Sequence, residues 1–436
     1  MPVQNLEHSI SLPAAGEPRQ REATSRPSPL EIAAGVQALA LIVLLATEGS
    51  AVARLLRIGA VLLFTTLGIL VMRRAGSVGR GSAALVLGIA GTVAGAGIGG
   101  VYAAKVGVSV MTIAGLVGLT TGVALLIAGA VTLIRQLRGW WRLASIPAAL
   151  ALLAFVLYPL TVAVNATNRP AAPLGTETPA DRGLAYEVVS FRTSDDVRLS
   201  AWYVPSRNGA AVVLLHGAGS SRSSVLAHGT VLADHGSGVL LLDRRGHGTS
   251  EGDAMDFGWY GDLDIGAAIS FLQASRADVS PAAIGVVGLS MGGEQAIAAA
   301  GVDGRIGAVV AEGVTGMQSA DHGWLERYGI QASIQLVIDQ ITYGAAGVLS
   351  GAERPMSLRD AVRAASPRPV LLIACGATTD EAVAGRWFRQ ASPGSVELWV
   401  VPGAGHTAGL ATQPDRWEGE VVGFLDAVLL PDASSG

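Results

Sequence analysis

The sequence predicts two architectures in series: an all-α bundle of transmembrane helices, then an α/β domain whose mostly parallel sheet carries helices on both faces. Three observations predict this. Half of the chain is hydrophobic and only 15% is charged, well below the roughly one quarter usual in soluble domains, and the longest apolar runs crowd into positions 31–165. After position 183 the pattern changes to short, glycine-bounded apolar runs alternating with helical stretches, as strands buried on both faces require. One such run, Ile284–Gly288, reaches Gly288-Leu289-Ser290-Met291-Gly292 and passes directly into a helical pattern.

Residues 1–30 are polar and rich in proline and arginine, which predicts a disordered tail. No early apolar core with a small-residue cleavage site marks a secretory signal. Five spans of bilayer length follow, at about 32–51, 56–72, 82–104, 108–134 and 143–164; Gln37 and Glu48 interrupt the first. Gly95, Gly97 and Gly100 have a GxGxxG spacing but no strand before them, so they do not form a nucleotide fingerprint. Gly91, Gly95 and Gly99, and again Gly118 and Gly122, instead place small residues on one helix face for close packing. The spans carry almost no ionisable residue, which argues for anchoring or assembly over transport.

Basic residues set the expected orientation. Arg19, Arg21, Arg26, Arg73, Arg74, Arg80, Arg135, Arg138 and Arg142 fall on one side, and Arg54, Arg57, Lys105, Arg169 and Arg182 on the other. The excess places the N-terminus in the cytoplasm and, after five crossings of the cell membrane, the C-terminal domain outside. A net charge of −4 gives no reason to expect nucleic acid. The single cysteine, Cys375, excludes an intramolecular disulfide and is expected to be a buried structural residue.

Residues 166–183 form a Pro- and Ala-rich polar linker. Tyr186–Thr193 and Val197–Val204 then read as paired strands around Asp195 and Asp196. Ala211–Leu215, Val239–Leu242, Ile284–Gly288, Ala308–Ala311, Val370–Ala374 and Val396–Val401 continue as buried strands separated by helices. An insert between Gly313 and Arg368 contains helical stretches such as Ala332–Tyr343. Trp324, Tyr328, Ile334, Leu336 and Ile341 make it apolar, through core packing if nothing else.

The chemistry centres on Ser290. A chain with 57 glycines yields about half a GxSxG match by chance, and Gly248-Thr249-Ser250-Glu251-Gly252 is a second match without a strand feeding it. Only Ser290 has the strand–turn–helix context that holds a hydroxyl out at a sheet edge before a helix N-terminus. Without a base it would be a structural serine. Of the seven histidines, His406 is the candidate base, in the loop Gly403-Ala404-Gly405-His406 just past the last strand. Small residues in His216-Gly217-Ala218-Gly219 let a backbone N–H approach a substrate carbonyl, so Ala218 and Met291 N–H are the expected oxyanion donors. His216 braces that loop.

In this order, His216-Gly217, then Asp243-Arg244-Arg245-Gly246-His247-Gly248-Thr249-Ser250, then Gly288-Leu289-Ser290-Met291-Gly292, then His406, the C-terminal 250 or so residues resemble an α/β-hydrolase. The dienelactone-hydrolase-like and serine-aminopeptidase-like subgroup is the nearest in pattern. The resemblance implies that Asp243 and Arg245 are structural and that the insert is a small helical cap over the site. It also implies an acid three residues after the glycine ending the seventh strand. Here that glycine is Gly376 and position 379 is Thr379, so Asp380 is the expected triad acid, with Glu381 and Glu312 as alternatives. The resulting expectation is a membrane-anchored serine hydrolase acting on a small-molecule or lipid-like acyl substrate, with Ser290, His406 and Asp380 as triad and no metal or cofactor. A peptidase or acyltransferase on the same triad, and an inactive binding module of the same fold, are the rival readings.

Overall fold

The computed structural model describes residues 26–46 and 51–430; Glu48 and the polar tail up to residue 25 lie outside the described residues. Five helices among these form the N-terminal bundle: α1 Pro29–Leu45, α2 Ala51–Arg74, α3 Ser77–Lys105, α4 Val110–Gln136 and α5 Trp141–Thr167. α3 and α5 each contain a wider π turn, at Gly95–Gly99 and Leu153–Leu157. Four of the five, α2 to α5, are long and apolar enough to cross a membrane. The shorter apolar α1 has 17 residues, about 26 Å of helix against a hydrocarbon core of about 30 Å. α1 still packs against α2 and α4, and Gln37 Nε2 donates to Leu87 O at 2.8 Å, so the amide nitrogen that interrupts its run has a partner inside the bundle.

α3 and α4 meet backbone to backbone. Gly99 faces Gly115, and a Cβ on Gly129 would stand 2.6 Å from Leu85 N; Gly91, Gly95, Gly118 and Gly122 lie in the same seam. Small residues permit that approach, and dispersion between the two backbones holds it. The two ends of the bundle differ. At one, Glu31 pairs with Arg73 at 2.7 Å, and Arg74, Arg80, Arg135, Arg138 and Arg142 cluster around the same helix ends and turns. At the other, Leu45, Arg57 and Thr167 line a cavity of about 250 Å³ together with Tyr260 and Ser350 of the C-terminal domain.

That domain holds eight strands, β1 Glu187–Arg192, β2 Arg198–Val204, β3 Ala211–Leu215, β4 Gly238–Asp243, β5 Ile284–Leu289, β6 Ala308–Glu312, β7 Val370–Cys375 and β8 Val396–Val401. They form one sheet in the order β1-β2-β4-β3-β5-β6-β7-β8, antiparallel at β1–β2 and β2–β4 and parallel elsewhere. Leu215 pairs with Gly288, and Leu289 with Glu312, so the carboxyl ends of β3, β5 and β6 share one edge. Around the sheet lie α6 Leu226–Asp234, α7 Gly261–Ser275, α8 Met291–Val302, α9 Ile330–Ser350, α10 Leu358–Ala365, α11 Thr379–Arg389 and α12 Pro414–Leu429. Ile265, Ile297, Val362 and Phe388 fill one face and Leu232, Trp417 and Val421 the other. Because both faces are covered, every residue of β3 to β7 is buried, which is why these strands read as unbroken apolar runs.

The segment between bundle and sheet is laid against the domain. Asp256 N donates to Ala166 O and Gly248 N to Ala172 O, both at 2.9 Å, and Arg169 forms an ion pair with Asp256. Ala163 of α5 belongs to the same buried cluster as Trp259, Tyr343 and Ala346. One core therefore runs across the boundary. The insert after Gly313 forms a 3₁₀ stretch, Ser319–Tyr328, followed by α9 and α10. α10 buries Leu358, Ala361, Val362 and Ala365 against α8, whereas α9 packs along α5.

Candidate active site

β5 ends at Leu289, and Ser290 turns the chain at φ 53° and ψ −124°, a conformation costly for any residue with a side chain. Neighbours hold it there: Ser290 N donates to Glu312 O at 2.7 Å and Gly293 N to Ser290 O at 2.8 Å. A Cβ on Gly288 would stand 2.5 Å from Gly293 N, and one on Gly292 would stand 2.7 Å from His216 O. Both glycines are therefore sterically required for the strand and α8 to meet. The second GxSxG match is a braced loop: Ser250 Oγ donates to Asp243 O at 2.6 Å and accepts from Ser200 N at 2.8 Å.

His406 reaches Ser290 from the loop after β8, with Nε2 2.9 Å from Ser290 Oγ. Gly313 makes room for the ring; its φ is +76°, and a Cβ there would stand 3.0 Å from His406 Cε1. The other ring nitrogen, Nδ1, lies 2.7 Å from Glu381 Oε1. Glu381 is buried, and its Oε2 accepts from Cys375 N at 2.8 Å. This hydrogen bond to Glu381 is the main cause that raises the His406 pKa above its ordinary value.

Asp380 does not occupy that place. Its Oδ1 is 3.3 Å from the Tyr328 hydroxyl, on the exposed side. α11 begins at Thr379, and each helical residue turns the side-chain direction by about 100°, so Asp380 points outward and Glu381 inward. Glu312 braces the same loop from below: Gly409 N donates to Oε1 at 2.8 Å and Trp417 Nε1 to Oε2 at 3.0 Å.

The loop after β3 lies against Ser290, since a Cβ on Gly217 would be 3.4 Å from Ser290 Cβ. Ala218 follows in that loop, and Met291 opens α8 directly after the serine. Buried Arg244 clamps the loop by donating to Gly217 O at 2.9 Å. It is itself fixed by Gln295 Oε1 at 2.8 Å. Burial holds the His216 pKa well below its ordinary value, so a neutral imidazole packs behind the loop. Asp243 Oδ1 accepts from Arg222 N at 2.8 Å and Arg245 pairs with Asp264 at 2.8 Å, both away from Ser290 Oγ.

The comparisons with known proteins fit this arrangement. The model of the alpha/beta hydrolase family matches residues 212–420, which span β3 to α12 and contain Ser290, Glu381 and His406. The C-terminal domain has the α/β-hydrolase fold. Among its relatives, the uncharacterized protein YfhR of Salmonella typhi is 30% identical over 146 residues, 32% of this chain and 48% of that protein. The uncharacterized membrane protein YNL320W of Saccharomyces cerevisiae is 30% identical over 28% of this chain and 42% of its own. The thiohydrolase aneE of Aspergillus aculeatus is 33% identical over 29% of this chain and 40% of its own. The chain thus spans about half the length, or less, of the curated relatives it matches. The solved Pyrococcus furiosus esterase Pf2001 is 25% identical, with a TM-score of 0.48, over 60% of this chain and 97% of that one.

Two features of the α/β-hydrolase domain were not read from its sequence. Glu294, one turn into α8, is buried and accepts from Gly316 N at 2.8 Å; burial pushes its pKa up to about 7. His322 Nδ1 lies 2.6 Å from Asp339 Oδ2 inside the cap. A buried carboxyl four residues after a nucleophile-type serine is a pattern that a helical projection could have flagged. The His322–Asp339 pair joins two helical segments and has no local signature. Among the described residues, no group of three His, Cys, Asp or Glu side chains is placed to hold a metal ion.

Proposed function

We propose that this chain is a membrane-anchored serine hydrolase that cleaves acyl esters or thioesters through an acyl-enzyme on Ser290. The observation that carries the reading is the relay Ser290 Oγ–His406 Nε2 at 2.9 Å and His406 Nδ1–Glu381 Oε1 at 2.7 Å. With Glu381 accepting at Nδ1, the neutral imidazole carries its proton there and presents a lone pair to the serine. Ser290 Oγ attacks the acyl carbonyl while its proton passes to His406 Nε2. The Ala218 and Met291 amides donate to the new oxyanion, at a helix N-terminus that also favours negative charge. The bond to the leaving group then breaks, and His406 returns the proton to that group. Water repeats the sequence on the acyl-enzyme and releases the acid.

The printed activity of the thiohydrolase relative supports including thioesters. Amide cleavage and acyl transfer to an acceptor other than water remain rival uses of the same relay. The bundle supports the anchoring, and its charge asymmetry supports the sidedness. Arginines gather at the end away from the hydrolase domain whether or not α1 crosses, and basic ends stay in the cytoplasm; the domain is then extracytoplasmic.

Labelling by a fluorophosphonate probe tests the mechanism. Wild type labels, and Ser290→Ala and His406→Ala do not; a folded wild-type protein that stays unlabelled rejects the reading in favour of a binding module. Protease accessibility of the C-terminal domain in intact cells tests the side.

A further inference from the structure

α9, the longest helix of the hydrolase domain, has an outer face unlike that of a helix in water. Over its 21 residues the only charged side chain is Asp339, which is buried and held by His322 at 2.6 Å and Gln335 at 2.7 Å. Its exposed positions include Ile330, Ile334, Val337, Val348 and Leu349, with Ile330 and Val348 open to 79% and 86%. The neighbouring α10 shows the usual alternative, exposing Asp360 and Arg363 within two turns.

What covers that face follows from what α9 packs on. It lies along α5 and touches the π turn Leu153–Leu157. In the helix Trp141–Thr167 that turn sits near the middle, with Leu157 ten residues, or about 15 Å, inside the end that joins the hydrolase domain. The stacked pair Trp140 and Trp141 marks the opposite interface, so Leu153–Leu157 lies at hydrocarbon depth. A helix in contact with those residues is itself in the bilayer. The active-site mouth stands beside the near end of α9, because Tyr328, two residues before it, reaches Asp380, next to Glu381. Lys105 at the end of α3 lies near the loop after β3, its Nζ 3.8 Å from a Cβ placed on Gly219.

We propose that α9 is inserted into the leaflet facing the hydrolase domain, and that the enzyme draws its acyl substrate, an ester or thioester carrying a long hydrocarbon chain, directly from that leaflet. The substrate clause rests on the serine-hydrolase reading; the insertion of α9 does not. An ester carbonyl held at the headgroup level would then reach Ser290 between α9 and the end of α3 while its chain stays in lipid. The uncharged outer face, the contact at mid-span and the shared core around Ala163 all favour lipid over a protein partner as the occupant.

The test uses the full chain in vesicles of phosphatidylcholine with and without brominated acyl chains. Ile334→Cys, Val337→Cys and Val348→Cys are each labelled with a bimane fluorophore; Cys375 is fully buried and stays unlabelled. Leu116→Cys on the outer face of α4 and Val188→Cys on edge strand β1 are the lipid and water references. Insertion predicts at least threefold quenching by brominated lipid at the α9 sites, as at residue 116, and little by aqueous iodide. Iodide quenching without bromine quenching, as at residue 188, overturns it. For the substrate, hydrolysis of an oleoyl ester should follow its mole fraction in the bilayer and not change on tenfold dilution of the vesicles. A rate that falls with the aqueous concentration overturns lateral access. Fluorophosphonate labelling of the same samples reports the serine separately, so failure of the mechanism and failure of the insertion give different results.

Discussion

Replacing Glu381 by Gln changes one atom of the relay and leaves its shape. In the wild type, Glu381 Oε2 accepts from Cys375 N at 2.8 Å and Oε1 faces His406 Nδ1 at 2.7 Å. In Glu381→Gln the buried Cys375 N–H still needs an acceptor, so the amide oxygen must take that side. The amide NH₂ then faces Nδ1 and forces it to accept. The imidazole proton moves to Nε2, which now points an N–H at Ser290 Oγ and cannot take its proton. The same tautomer error in a geometrically intact Ser-His-Asp triad costs about 10⁴ in kcat, or about 5 kcal/mol of barrier. Asp380→Asn should cost less than threefold, since it disturbs only an exposed 3.3 Å contact with Tyr328. The assay is the second-order rate of fluorophosphonate labelling, with turnover of a chromogenic ester in nanodiscs alongside. Loss of activity in Asp380→Asn with retention in Glu381→Gln would refute the assignment of the acid.

Three further outcomes are expected. The His406 pKa is raised by its bond to Glu381, and only the neutral ring can accept a proton. Activity should therefore fall with decreasing pH along a limb centred above the ordinary histidine value of about 6.5, and the residual activity of Glu381→Gln should show that limb at lower pH. Gly313→Ala puts a methyl 3.0 Å from His406 Cε1 on backbone at φ +76°; activity should drop at least tenfold while circular dichroism stays unchanged. Gly99→Leu drives a side chain into the Gly115 backbone and should destabilise the bundle by about 1–3 kcal/mol or more, seen as a lower apparent Tm in detergent with the hydrolase domain still labelled at low temperature.

Much of this was legible because the local signals agree. β3 and β8 have the limits that their apolar runs predict, and the glycines around Ser290 announce the tight turn wherever a strand feeds it. Counting along a loop puts Asp380 beside His406, whereas the structure puts Glu381 there. The chain after Gly376 is already helical from Thr379, and a helix sorts neighbouring residues by angle, not by distance along the chain. Ile334 reads as cap core by composition alone, since an apolar residue facing lipid and one facing a protein interior look the same in sequence. Only the long-range contact between α9 and α5 separates them, and no local pattern encodes it.

The position of Ala163 in the hydrolase core bears on how the protein is made. Ala163 is synthesised about 180 residues before the part of α9 that meets it, roughly 9–36 s earlier at 5–20 residues per second. During that interval α5 lacks the Tyr343 and Ala346 side chains that later join its buried cluster. The C-terminal domain cannot close this part of its interior on its own as it leaves the ribosome; it must return to a helix made earlier. A fragment cut within residues 166–183 starts life with that wall missing, and secretion of the enzyme as a free domain would need a substitute for it.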